Sequence, residues 1–425
     1  MPPQKFSPRL RIAALFVAAA TASTALPPAS AAPLSDALSA APEATSADRV
    51  VISPGQDGAR QVGVSFRLHG ASPTAAIEFG EDGAVTSSIP ARRTSIGIGL
   101  STYSAQLKDL RPETSYRYRI VGQRGAASQW ETFTTASASD KPFEFLYFGD
   151  AQNGLDKQWR TTAEAGLAAA PDASLIVHGG DMVDTGSEKE WSDFWQAQQG
   201  ANARIQTVGA LGNHELVFDL TASKFKNAFT LPSNGPAPLD ETTYSFDYQG
   251  VRFITLTGNG VFLDRQAKFL EQQLESNPNR WSVVVVHQPI YNGTERNYTD
   301  AYREAFGEII EKYGVDLVLT GHDHTYGRGA KDGTEQTSGP QYVVATSGSK
   351  FFPTDESIDF WRRGGAHREV WAQETATFQK IRVEGCTMHY ESVITHRGEN
   401  QKTSNGVTEP GDTLDQFTID KCAQR

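Results

Sequence analysis

Beyond its first 31 residues the chain has no apolar run long enough to span a bilayer, no excess of positive charge and almost no cysteine. The first absence excludes a transmembrane helix, which needs about 20 consecutive apolar residues. The second argues against a nucleic-acid binder. Thirty-nine Lys and Arg stand against 50 Asp and Glu, a net charge of −11. Nucleic-acid surfaces read as basic, and an acidic chain repels polyanions at long range. The third leaves only Cys386 and Cys422. No solenoid repeat is visible.

The first 31 residues differ from the rest. MPPQKFSPRLR carries three basic residues and no acid, IAALFVAAATASTAL is a short apolar run, and PPASAA offers small residues for cleavage after Ala31. This order is that of a signal peptide over residues 1–31, so the expected location is secreted, periplasmic or extracellular. No cysteine follows the run, which argues against a lipid anchor. Cleavage removes three basic residues and no acidic ones, leaving 36 against 50 and a net charge of −14. In an oxidising compartment the two cysteines are expected to pair. Their disulfide would tie down the C-terminal tail, residues 399–425, for about 4 kcal/mol of chain entropy.

Residues 32–46, APLSDALSAAPEATS, read as a flexible leader. Residues 47–136 hold short β patterns such as VGVSFRL, SYRYRIVG and WETFTT, which suggest a small all-β sandwich. ASASDKP, 136–142, reads as a linker. Over 143–398 apolar strands alternate with helices. Strands are expected in FEFLYFGD, ASLIVHGGD, TVGALGNHE, VRFITLTG, WSVVVVHQPI, VDLVLTGH and QYVVATSG. Helices are expected at SEKEWSDFWQAQ, where Ser187 and Glu190 form a capping-box pattern, at DRQAKFLEQQLES, and at DAYREAFGEIIEKYG, which Gly314 stops. The alternation argues for an α/β sandwich.

Five of these strands end on chemistry: GD (Asp150), GGDMVD (Asp181, Asp184), GNHE (Asn213, His214), VVVVH (His287) and GHDH (His322, His324). Ligands of open α/β sheets gather at the carboxyl ends of strands. One aspartate there would be a turn residue, and one histidine a hydrogen-bonded structural residue. Five such ends deliver carboxylate, amide and imidazole to one edge. Without thiolate, that set suits Fe, Zn or Mn, and it is too large for one tetrahedral ion. His178, inside an apolar strand, reads as a satisfied core histidine. Tyr326 and Arg328 read equally as pocket or loop residues.

The ordered blocks GD, GDxxD, GNHE, VVVH and GHxH resemble the calcineurin-like metallophosphoesterases. With the N-terminal β-sandwich, which resembles a fibronectin type III-like domain, they resemble the purple acid phosphatase branch. The resemblance implies a four-layer α/β (α+β) sandwich with mixed sheets. It implies two metal ions, Asp181 bridging, Asp150 and His324 on the first, and Asn213, His287 and His322 on the second. It implies that a hydroxide held by the metals attacks a small phosphate ester in line and that His214 acts catalytically, protonating the leaving group. Asp323 or Glu215 would offset the cations near His214. This sequence departs from the branch twice. Asp184 stands where the purple enzymes have a tyrosine ligand, and Gln152 stands where other relatives have a histidine. Both remain candidates for further ligands or supports beside the metals. The expected activity is phosphomonoester hydrolysis. A phosphodiesterase or nucleotidase on the same centre is the alternative, and a non-catalytic polymer-binding protein with a decayed hydrolase fold is the rival class.

Overall fold

A computed structural model describes residues 47–69, 74–81, 87–97, 100–294, 299–331, 339–353 and 360–422. The expected signal peptide and leader lie outside the described residues. Among the described residues no helix is long and apolar enough to cross a membrane.

Residues 47–134 form seven strands joined in one antiparallel path, from Ala47–Pro54 at one end to Glu131–Thr134 at the other. Alternate residues point inward, and Ile52, Val64, Phe66, Ile77, Tyr103 and Tyr118 make a separate core. Polar contacts fix this sandwich to the rest. Ser53 Oγ donates to Thr207 O at 2.8 Å, Tyr118 Oη donates to Ala203 O at 2.7 Å, and Arg67 pairs with Glu188 at 2.9 Å.

From Phe143 onward the strands join into a mixed twelve-stranded sheet. Phe143–Phe148, Ala173–His178 and Gln206–Gly209 run parallel, as do Val251–Leu256, Trp281–Val286, Leu317–Thr320 and Gln341–Val344. All seven are the strands the apolar runs predict. They are buried on both faces, which is why they read as continuous apolar runs. Side-chain alternation explains the layers. Val283, Val285, Leu317 and Leu319 face one core, while Val284, Val286 and Val318 face a second core with Phe269 and Leu270 of the helix Leu263–Glu275. The two halves of the sheet pack face to face, with the Phe145 ring 5.4 Å from that of Phe253. On the outer face of the first half, Phe148 meets Trp159 at 5.1 Å. The result is helix, sheet, sheet, helix, as expected.

The helix Glu188–Ala197 opens with the full Ser187–Glu190 capping box, and Gly314 ends the helix Glu308–Tyr313 at φ 60°. The stretch read as a tail contributes instead to the sheet. Ala366–Glu384 and Thr387–Thr403 form a long hairpin, and Thr413–Asp420 pairs with its second strand. The Cys386–Cys422 disulfide joins the hairpin turn to the second residue after that last strand. Tyr326 and Arg328 do not line a pocket. Both are buried, and their side chains bond Asp415 at 2.8 and 2.7 Å, tying Tyr326–Lys331 to the C-terminal strand.

Candidate metal centre

Every strand end singled out by the sequence arrives at one place. Asp181, His287 and His322 each offer a ligand atom within 4.8 Å of the others, and so do Asp150, Asp181 and His324. Asp181 belongs to both groups. Asp150, Asp181, His287 and His324 are buried.

Close backbone approach makes this possible. A Cβ on Gly212 would lie 2.2 Å from the Asp181 amide and carboxylate, and one on Gly321 would lie 2.5 Å from Asp150 Oδ2. Neither position tolerates a side chain. Asp181, His322 and His324 have φ of 48°, 71° and 50°. Left-handed backbone costs a non-glycine residue roughly 1–2 kcal/mol, and such strain clusters at functional sites.

The imidazoles are oriented from behind. His287 Nδ1 lies 2.9 Å from Gly179 O, and His324 Nδ1 lies 2.9 Å from Lys350 O. A carbonyl only accepts, so each Nδ1 carries a proton and each Nε2 faces the cluster. Backbone carbonyls hold metal-binding histidines in this way. His287 Nε2 lies 3.2 Å from Asp181 Oδ2 and 3.3 Å from His322 Nδ1.

Charge in the cluster is unevenly held. Burial pushes Asp150 up to about 8, with Asp181 adding and His287 opposing. Burial also works on His287, but the Asp181 and Asp150 carboxylates outweigh it and raise the ring to about 10. His322 and His324 fall to about 3 through burial, and the Lys350 charge contributes to both. Asp181 is held below the usual range: His287, His214 and the His214 backbone N–H overcome its burial.

The oxygens fit a cation. Asp150 Oδ1, Gln152 Oε1 and Asn213 Oδ1 are buried without a hydrogen-bond partner. Leaving a buried acceptor unpaired costs about 1–3 kcal/mol, and a pair of metal ions would satisfy all three. Gln152 lies inside the first group, its Nε2 donating to Asp181 Oδ2 at 3.0 Å and 2.9 Å from His324 Nε2.

His214 lies beside the cluster. Its Nδ1 is 2.6 Å from Asp184 O and 3.2 Å from Asp184 Oδ1, and its Nε2 is 3.9 Å from Asp181 Oδ2. Asp184 is thus the residue that holds His214, and neither Asp323 nor Glu215 does so. Asp323 accepts the Gly293 amide. Glu215 is buried beneath the loops and accepts the amides of Asp181, Met182 and Gly212 at 2.9, 2.7 and 2.8 Å. It staples the Asp181 loop to the Asn213 loop. Sequence reasoning also missed Lys350, whose Nζ lies 3.4 Å from His214 Nε2. The signal was present: Lys350 follows QYVVATSG, a strand whose end was not read with the other five.

His178 lies in the core with Phe148, Trp159, Phe194 and Trp195 around it at 5.0–6.5 Å. It is a core histidine as expected; no partner meets hydrogen-bond geometry at its ring nitrogens among the described residues, and Gln198 is the polar side chain beside it.

Helix–sheet–sheet–helix layers and two ligand groups sharing one aspartate are the arrangement expected of a metallophosphoesterase domain. Sequence comparison agrees, with the calcineurin-like phosphoesterase model matching residues 143–326 and the purple acid phosphatase N-terminal domain model matching 47–135. The chain therefore carries a calcineurin-like phosphoesterase domain preceded by a purple acid phosphatase N-terminal domain. Purple acid phosphatase 23 of Arabidopsis thaliana is 25% identical over 59% of this chain and 62% of its own length. Purple acid phosphatase 1 of Ipomoea batatas is 24% identical over 57% and 53%. The chain therefore spans between about half and three fifths of these relatives. A purple acid phosphatase from yellow lupin (Lupinus luteus) seeds shares the fold with a TM-score of 0.71 at 17% identity, covering 88% of this chain and 74% of that one.

Proposed function

We propose that this protein is an exported, metal-dependent phosphoric ester hydrolase that acts as an acid phosphatase-like phosphomonoesterase. The observation that carries the reading is Asp181, shared by two groups of ligand atoms each within 4.8 Å of one another. Asp150, Asp181 and His324, with Gln152 beside them, would hold one ion. Asp181, Asn213, His287 and His322 would hold the other. Fe, Zn and Mn suit these donors. An Arabidopsis relative is named an Fe(3+)-Zn(2+) purple acid phosphatase, which favours that pair here. When bound, the ions polarise phosphoryl oxygens and make hydroxide available near neutral pH for in-line attack.

The chain's own groups do the rest. Gly179 O and Lys350 O fix the rings of His287 and His324, so the ligands need no reorganisation when substrate arrives. Asp184 holds His214 by Nδ1, leaving Nε2 turned to the site, from which the imidazolium form would pass its proton to the leaving oxygen. Export is supported by the basic-then-apolar N-terminal sequence and by the disulfide. The test is hydrolysis of a panel of phosphomonoesters, diesters and nucleotides by metal-free protein reloaded with Fe, Zn or Mn. Turnover led by monoesters is the expected result. Preference for diesters or nucleotides replaces the substrate assignment, and no turnover with two ions bound favours the non-catalytic rival.

A further inference from the structure

We infer that Lys350 is an anion-binding residue that selects phosphomonoesters over diesters; the inference rests on the hydrolase reading above. Lys350 follows the strand Gln341–Val344, whose end is stitched to Asp150 by the Ser347 and Gly348 amides donating to Asp150 O at 2.9 and 2.7 Å. That stitch brings the residue to the ligand edge. Its backbone and side chain then do different things. The carbonyl turns inward and takes His324 Nδ1 at 2.9 Å. The ammonium reaches over the site, 3.4 Å from His214 Nε2 and 5.6 Å from the Phe352 ring centroid.

A cation in this position is not explained by structure. Among the described residues Lys350 makes no ion pair with a carboxylate, although the chain is acidic. The side chain it reaches is His214, whose neutral ring would offer only an acceptor at Nε2, since Nδ1 faces the Asp184 carbonyl. A positive charge beside two metal ions is unfavourable on its own, and its field reaches His322 and His324. An anion lying between the metals and Lys350 would reverse that cost.

The chemistry identifies the anion. A phosphomonoester carries up to two negative charges at neutral pH and keeps three non-bridging oxygens, while a diester carries one charge and keeps two. Metals can engage two oxygens of either. Only the monoester has a third oxygen, and its extra charge, for Lys350 to bind by a charge-assisted hydrogen bond. Such a bond is worth about 10–10²-fold in binding.

The experiment compares wild type, Lys350→Met and Lys350→Arg after metal loading, with metal content verified. Substrates are phenyl phosphate and methyl phenyl phosphate, which share a leaving group, and inorganic phosphate binding is measured by calorimetry. Lys350→Met should lose about 10–10²-fold in kcat/KM on the monoester and less than about threefold on the diester. Phosphate should bind correspondingly more weakly, and Lys350→Arg should recover part of both. Equal losses on the two esters, or none, overturn the inference. If the wild type hydrolyses neither ester, the hydrolase reading fails, and calorimetry decides Lys350 alone: weaker phosphate binding in Lys350→Met supports it and equal binding overturns it.

Discussion

His178 should make the fold acid-sensitive by a calculable amount. The ring is fully buried among four aromatic side chains, and no partner among the described residues meets hydrogen-bond geometry at either nitrogen. Burial lowers its proton affinity to about 3, against the opposing effect of the Gln198 side chain beside the ring. The unfolded chain takes up this proton near the ordinary value of about 6.5. Above that value neither state binds it, and the neutral ring's contribution is intact. As pH falls from about 6.5 towards 3, only the unfolded state gains a proton, and stability drops by about 1.4 kcal/mol per unit. By pH 4.5 the loss is about 3 kcal/mol on this scale, a large fraction of a domain's net stability. His178→Leu removes the titration at similar volume. At neutral pH it should cost about 1–3 kcal/mol in lost ring contacts. Between pH 7 and 4.5 the variant should then lose about 3 kcal/mol less than wild type. Urea unfolding at both values, followed by tryptophan fluorescence, reads the difference, because Trp159 and Trp195 adjoin the ring. Comparing the two proteins cancels every other titrating group. Parallel pH profiles would refute the argument, since they would mean that the folded ring accepts its proton as readily as the unfolded one.

Asp181→Asn should strip most metal and nearly all turnover, because a neutral amide bridges two cations poorly; two ions per chain with full activity would remove Asp181 from the bridge. In Glu215→Gln an amide NH2 must face some of the backbone N–H groups that the carboxylate now accepts, and metal affinity should fall about 10–100-fold. Calorimetric titration showing unchanged affinity would leave Glu215 without the stapling role. His214→Ala should slow alkyl phosphates by about 10²–10⁴-fold and nitrophenyl phosphate much less, since nitrophenolate leaves without a proton. Equal losses at constant metal content would make His214 a phosphate-orienting group. Iron-loaded protein should lack an intense violet band. Asp184 occupies the tyrosine position, Tyr326 bonds Asp415, and Tyr291 packs on Tyr342 at 4.8 Å, so an intense visible absorption would require a tyrosine to leave these partners.

The edge on which the site is built was legible because its strands are buried on both faces. Continuous apolar runs such as VVVV in 283–286 cannot be mistaken for surface, and each marks its own carboxyl end. The C-terminal hairpin was not legible in the same way. Its strand Ala366–Glu384 is only partly buried, and its pairing slips at Gln373/Thr375 and Ala376/Thr377, where Glu374 takes φ 49°. A bulge shifts the face of every residue beyond it, so the period of two that identifies a strand is lost. Glu215 was visible as the last letter of GNHE, but its direction was not. Residues 213–216 turn sharply, with His214–Leu216 a single turn of 3-10 helix, and this sends His214 to the site and Glu215 beneath it. Asp184 and His214 are thirty residues apart, and only the fold brings them together.

The geometry also bears on whether the site still works. A binding protein on a decayed hydrolase fold has no use for strained ligands. Three ligand candidates keep left-handed backbone, and none of the three is glycine or asparagine. Drift at a silent site would replace them at a gain of roughly 1 kcal/mol each. Three buried oxygens also lack partners, and any apolar replacement of similar shape would relieve them. Gly212 and Gly321 keep the backbone close to Asp181 and Asp150 where larger residues would push the loops apart. Each feature is unfavourable in the empty protein, and each is offset by the same event, the arrival of cations. Costs that are independent in origin and share one remedy are what a working metal centre requires, and a surface for binding polymers would gain nothing from them.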